Sequence, residues 1–184
     1  SDYRTFYRHD GDTPMLFDGD LSLPRAILNH FGLQRGISLF LASEVPPGTG
    51  LGSSSTVAVA IIKAVTTAKG LYLSKQQIAE LACQIEIEKM SEPIGKQDQY
   101  ASAFGDLNFI QFTSDHVTVE PLNVSIETRR ALEKNILLFF TGGTRQASSI
   151  LREQSRSSET NDPRVIDALH LVKAMAFEAK EMLE

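Results

Sequence analysis

Between Pro46 and Ser55 the chain reads Pro-Pro-Gly-Thr-Gly-Leu-Gly-Ser-Ser-Ser, a run whose natural chemistry is anion binding. Glycines at 48, 50 and 52 let backbone N–H groups come close to an anion and tolerate positive φ. Ser53, Ser54 and Ser55 add hydroxyls able to meet phosphate oxygens or Mg2+. The run is not a Walker A loop, because no Gly-Lys-Ser/Thr follows at the required spacing. It is not the dinucleotide fingerprint either, since the third glycine falls one place early. The competing reading is a glycine-rich turn with a serine helix cap. The flanks weigh against that reading: Ser38–Val45 has the length and apolar content of a strand, and Thr56–Lys69 reads as a buried helix ended by Gly70. A helix starting at this point aims its unpaired amides and positive dipole end into the loop.

Phosphoryl transfer needs a metal to neutralise phosphate charge, a group that accepts or orients the hydroxyl proton, and a cation near the migrating phosphoryl. The chain offers a candidate for each. Asp98 lies in Gly95-Lys96-Gln97-Asp98-Gln99-Tyr100, at a loop-to-helix junction where its simplest role is a cap or first-turn residue. Glu86 comes twelve positions earlier. It flanks the apolar stripe Ile78, Leu81, Ala82 and Ile85 of an expected helix Leu73–Met90; Glu88 sits on the opposite flank, and periodicity does not choose between them. Arg145 follows Thr141-Gly142-Gly143-Thr144 in the first turn of an expected helix, where the dipole disfavours a cation, which points to a task beyond surface solvation. Lys96 is close enough in sequence to serve a substrate phosphate, and equally reads as a solvated loop lysine. His9, His30, His116 and His170 are scattered without zinc-ligand spacing. No Ser-His-Asp order with a Gly-x-Ser-x-Gly elbow is present.

The elements that must position these groups read as α+β. Leu23–Phe31 is a short helix after an irregular stretch through Gly19. Ser74 with Gln77 forms a capping box opening the Leu73–Met90 helix, and Asp98–Phe104 is a short helix ended by Gly105. Asn108–Phe112 and His116–Pro121 are strands joined by a Ser-Asp turn. Glu127–Lys134 is a helix, Asn135–Thr141 a buried strand, and Arg145–Gln154 a helix. Pro163 stands where a last helix, Arg164–Glu184, begins. With 184 residues, 42% of them hydrophobic, the chain can bury a core. A net charge of −5 argues against a broad nucleic-acid surface or a polybasic membrane anchor. Cys83 is the only cysteine, so no internal disulfide forms; a buried structural thiol in a reducing compartment is expected. The longest apolar stretch, Thr56–Val65, is broken by Lys63 and too short to span a bilayer. No signal-peptide pattern opens the chain, and a cytoplasmic location is expected. The chain begins without methionine and stops inside a helical pattern, so a fragment cut at both ends is expected.

The motif Pro46–Ser54 resembles the nucleotide loop of the GHMP kinases, the superfamily of galactokinase, homoserine kinase and mevalonate kinase. That resemblance implies a loop wrapped around the phosphates of ATP, through Pro46, Gly48, Gly50, Leu51, Gly52, Ser53, Ser54 and Ser55, with Ser54 or else Ser53 ligating Mg2+. Gly95–Phe109 is similar to the segment of sugar 1-kinases that faces an aspartate to the acceptor hydroxyl. It implies that Asp98 is the catalytic base or an electrostatic anchor that orients the hydroxyl. The spacing to Asp98 suits the Mg2+-ligating glutamate of the galactokinase branch better at Glu86 than at Glu88. Phe140–Leu151 resembles the region where galactokinase-like members hold an arginine beside that aspartate, which implies Arg145.

Glu92–Phe112 and Leu137–Gln154 resemble most the kinases of D-glycero-D-manno-heptose 7-phosphate. The resemblance implies phosphorylation of the anomeric hydroxyl to a 1,7-bisphosphate. It also implies a fold with residues 1–134 in the ATP-binding domain (ribosomal protein S5 domain 2-like) and residues 135–184 opening the C-terminal domain. The family's N-terminal substrate motif and its glycine-rich third motif are absent from this sequence, so the chain alone is expected to bind poorly or be inactive. The alternatives are another sugar 1-kinase, for fucose, galactose or an N-acetylhexosamine; a non-catalytic sugar- and ATP-binding sensor; and a structural domain with a chance glycine loop. Asp98, Glu86 and Arg145 together favour an enzyme acting on a small-molecule sugar phosphate. Oligomeric state is not legible.

Overall fold

A computed structural model describes residues 7–9, 15, 19, 21–45, 49–139, 151, 156, 158 and 162–184. The chain divides into two compact units, Ser1–Phe104 and Gly105–Glu184.

In the first unit, helix α1 (Ser22–His30) and helix α2 (Ser53–Ala68) end in the same way. Gly32 and Gly70 adopt φ of +68° and +67°. Each lets the next residue bond back across the last turn, Leu33 N–H to Leu28 C=O and Leu71 N–H to Thr66 C=O, both at 2.8 Å. Helix α3 (Lys75–Cys83) starts on the expected capping box. Ser74 N–H donates to Gln77 Oε1 at 2.9 Å, and Gln77 N–H donates to Ser74 Oγ at 3.1 Å.

The expected helix through Met90 does not stay α-helical. Gln84–Lys89 forms a π-helical turn, with Met90 N–H bonded to Ile85 C=O and Glu92 N–H reaching back to Glu86 C=O, both at 3.0 Å. Helix α4 (Gln97–Phe104) follows and stops at Gly105, φ +64°. The core of the unit is the apolar set Ala26 and Ile27 of α1, Ala58, Ile61, Ile62 and Val65 of α2, Ile78 and Ala82 of α3, and Ile85 of the π turn. Cys83 is buried beside it, and burial raises its thiol pKa to about 11, as suits an inert structural cysteine.

In the second unit β1 (Asn108–Phe112) and β2 (Val117–Pro121) form the expected antiparallel hairpin, in register from Asn108 against Pro121 to Phe112 against Val117. Helix α5 (Ile126–Asn135) is capped by Ser125, whose Oγ accepts from Thr128 N–H at 3.0 Å. Helix α6 (Pro163–Leu183) is capped by Asp162 and carries its proline in the first turn, where no N–H is missed. It lies on the hairpin through Phe177 against Phe109, 5.0 Å between ring centres, and through Lys180 Nζ to Glu120 Oε2 at 2.7 Å.

Helices with a small antiparallel sheet make the fold α+β, as the sequence implies. Two expected strands, Ser38–Val45 and Asn135–Thr141, are not strands over their described residues. Residues 37–45 run without regular structure, with Phe40 88% exposed. Residues 136–139 do the same, and Ile136 to Phe139 are all largely exposed. Both segments have strand composition, but a strand also needs a hydrogen-bonded neighbour, and neither has one among the described residues. The expected helix Arg145–Gln154 falls largely outside the described residues, as do residues 46–48 of the glycine loop.

Candidate active site

The end of the glycine loop is built for an anion. Gly50 and Gly52 hold φ of +76° and +67°, a backbone region that side chains other than glycine enter only with strain. Gly52 is the cap position of α2, and no side chain caps it. The helical bonding begins with Thr56 N–H to Gly52 C=O at 2.9 Å. The N–H groups of Ser53, Ser54 and Ser55 therefore precede the ladder, at the positive end of the helix and with no acid in the first turn. The helix begins three residues earlier than the apolar pattern implies, so the serines belong to its first turn rather than to the loop.

The three serines point to different tasks. Ser55 is buried, 3% exposed. Ser53 is half-buried. Ser54 faces solvent, and its Oγ donates to Glu86 Oε1 at 2.8 Å. Ser54 is thus the exposed hydroxyl bonded to the carboxylate, and buried Ser55 also bears on it.

The structure separates the two glutamates that periodicity leaves equal. Glu86 is 1% exposed, whereas Glu88 is exposed. Glu86 continues the buried line of Ala79 and Cys83 on α3, and the π-helical turn Gln84–Lys89 begins with it and Ile85 facing inward. Burial raises the pKa of the Glu86 carboxyl, and the nearby charge of Asp98 raises it further. Hydrogen bonds from Ser54, Gln99 and Ser55 act the other way by favouring the anion. A buried carboxylate held by hydroxyl and amide donors is a natural seat for a hard cation. Among the described residues no group of three or more His, Cys, Asp or Glu could hold a metal without help. One carboxylate and one hydroxyl suit a Mg2+ ion that takes its remaining oxygens from water and phosphate.

Asp98 sits in the first turn of α4 and is exposed. It lies against the loop: a Cβ at position 52 would come within 3.3 Å of Asp98 Cγ and 3.4 Å of its Oδ2. Asp98 and the start of α2 therefore share one site, and a hydrogen bond of 3.1 Å between Thr56 Oγ1 and Ser102 Oγ ties the two helices one turn further on. Lys96 lines a separate cavity of about 180 Å3 together with Cys83, Glu88 and Tyr100. Arg145, Pro46 and Gly48 lie outside the described residues. Gln99 is a site residue that the sequence pattern does not single out. It is fully buried, and its Nε2 donates to Glu86 Oε2 at 2.8 Å. Its one sequence signal is a polar residue beside Tyr100 at the buried start of a short helix.

The first unit thus places an uncapped helix start beside two carboxylates, Glu86 and Asp98. Residues 22–106 match the model of the GHMP kinases N terminal domain. That segment is thus of the GHMP kinase N-terminal type. It is 37% identical over 172 residues to a D-glycero-alpha-D-manno-heptose 7-phosphate kinase of Campylobacter jejuni, covering 90% of this chain and 50% of that protein. Among solved structures it is similar to a D-glycero-D-manno-heptose 1-phosphate kinase from Bacteroides thetaiotaomicron, with a TM-score of 0.63, 30% identity, and coverage of 84% of this chain and 52% of that one. It is also similar to a putative sugar kinase from Campylobacter jejuni, with a TM-score of 0.61, 32% identity, and coverage of 89% and 53%. The chain spans about half the length of the relatives it matches.

Proposed function

We propose that the protein carrying this chain is an ATP-dependent kinase that transfers the γ-phosphate to the anomeric hydroxyl of a heptose 7-phosphate. The single observation that supports this best is the convergence of the Ser54–Glu86 pair and Asp98 on the uncapped start of α2. In this reading the amides of the loop and of the α2 start hold the phosphates of ATP. Ser54 and Glu86 hold Mg2+, which neutralises phosphate charge when bound. Asp98 accepts or orients the proton of the sugar hydroxyl. Lys96 serves the substrate phosphate. Arg145 steadies the transferring phosphoryl, as the family resemblance implies. Residues 1–134 then belong to the ATP-binding domain and residues 135–184 open the next. The protein works in the cytoplasm on small molecules, without nucleic acid or membrane; no helix of the described residues is long and apolar enough to cross a bilayer.

The choice of heptose 7-phosphate follows from the name of the 37% identical relative. Other sugar 1-kinase activities are the second reading. The test is ADP release from Mg2+-ATP over a panel of heptose 7-phosphate, fucose, galactose and N-acetylhexosamines, using the full-length protein and this chain side by side. Release only with the heptose phosphate supports the proposal. Release with another sugar replaces the substrate. Nucleotide binding without turnover on any sugar replaces the enzyme with a sensor.

A further inference from the structure

Gln99 sits beside Asp98 in the first turn of α4 and is fully buried. The Glu86 carboxylate is held at both oxygens from two different helices, Oε1 by Ser54 Oγ of α2 and Oε2 by Gln99 Nε2 of α4, each at 2.8 Å. The orientation of the Gln99 amide follows from chemistry: an ionised carboxylate only accepts, so the atom facing it is the NH2 group. The other amide atom, Oε1, is then buried without a hydrogen-bond partner. An unmet buried acceptor costs free energy that an apolar side chain of equal length would not. Methionine would fill the same space without that cost. What methionine lacks is the donor to Glu86.

We propose that Gln99 is a positioning residue that fixes the Glu86 carboxylate so that Oε1 stays with Ser54 as a ready-made pair of oxygen ligands for the divalent cation of the nucleotide. The proposal rests on the reading of Ser54 and Glu86 as cation ligands given above. With Oε2 tied to α4, the carboxylate cannot rotate away from Ser54. The same bond couples the cation site to the helix that carries Asp98, so metal and hydroxyl-activating groups keep one relative placement. Partners that hold a ligating carboxylate in this way typically contribute about 10–100-fold in metal affinity or activity.

The test uses the full-length protein and the variants Gln99→Met, Gln99→Asn and Glu86→Gln. Mn2+ affinity in the presence of ADP is read by electron paramagnetic resonance, ADP affinity in EDTA by calorimetry, and folding by thermal melting. Gln99→Met should weaken Mn2+ binding by about 10–100-fold and leave metal-free ADP affinity unchanged, with a lower melting temperature because buried Glu86 Oε2 loses its donor. Gln99→Asn withdraws the amide by one methylene and should act in the same direction, so it carries the test if the methionine variant fails to fold. Parallel losses of Mn2+ affinity, ADP affinity and melting temperature would make Gln99 merely structural and overturn the proposal. Unchanged Mn2+ affinity in both Gln99 variants beside a weakened Glu86→Gln overturns the role of Gln99 alone. Unchanged affinity in all three removes the cation from Glu86, and the positioning role with it.

Discussion

Replacing Gly52 by alanine tests whether the phosphate loop and Asp98 form one site. Two costs add at this position. The backbone holds φ at +67°, and an L-residue there costs roughly 1–2 kcal/mol. The new Cβ also meets Asp98 Cγ at 3.3 Å and Oδ2 at 3.4 Å, so the carboxylate or the loop must give by a few tenths of an ångström. Because Asp98 is exposed and its side chain can turn aside, this costs less than core overpacking, up to about 1 kcal/mol. Gly50 supplies the control: its φ is +76°, and a Cβ there meets no described residue within 4 Å. Gly50→Ala should therefore lose only the backbone cost, and Gly52→Ala should lose up to about 1 kcal/mol more in denaturant titration. If Asp98 acts on the acceptor hydroxyl, its displacement should also lower turnover by up to about 10²-fold, measured as ADP release, while Gly50→Ala falls less. In an Asp98→Ala background the extra stability loss of Gly52→Ala should vanish, because the two nearest atoms are gone. Equal losses in stability and turnover for the two glycine variants would refute the shared site.

Asp98→Asn should lower turnover by roughly 10²–10⁴-fold if the carboxylate is a general base, with ATP binding by calorimetry retained; an unchanged rate would remove it from the chemistry. Glu86→Gln should raise the Mg2+ concentration needed for half-maximal turnover, and Glu88→Gln should not, since only Glu86 touches Ser54; the reverse result would exchange the two. Cys83 should resist iodoacetamide at pH 7–8 in the folded protein and react once it is unfolded. Its folded pKa is raised above the ordinary 9.0 to about 11, so the unfolded thiol loses its proton first. The stability that this burial contributes is whole below pH 9 and is lost between pH 9 and 11. Denaturant titrations of the parent and Cys83→Ala over that window should show a steeper fall for the parent.

The parts of the fold that the sequence reveals are those governed by local rules. Ser74 and Gln77 announce a capping box, Gly70 and Gly105 announce helix ends, and the hairpin of β1 and β2 follows from two short runs around a turn. Ser38–Val45 and residues 136–139 have strand composition without being strands, because composition says nothing about whether a neighbour is present to pair with. At the site, Pro46–Ser54 and the Asp98 segment are legible as motifs. The choice of Glu86 over Glu88, and of Ser54 over Ser53, depends on which side chain meets which across two helices, and the apolar stripe of a single helix does not report that. Gln99 stays hidden for a related reason, because nothing in a sequence marks a polar residue as buried against a carboxylate.

The π turn at Gln84–Lys89 has a consequence for how this site tolerates change over generations. In an α-helix each residue advances the chain by roughly 100° about the axis, so gaining or losing one residue swings everything beyond it to another face. The inward placement of Glu86 is thus recorded as a residue count as well as a residue type. Related sequences should drift freely by substitution along the solvent side of this stretch. A single-codon deletion there, which would look innocuous in a helix of ordinary composition, would erase the acid from the site without altering its identity.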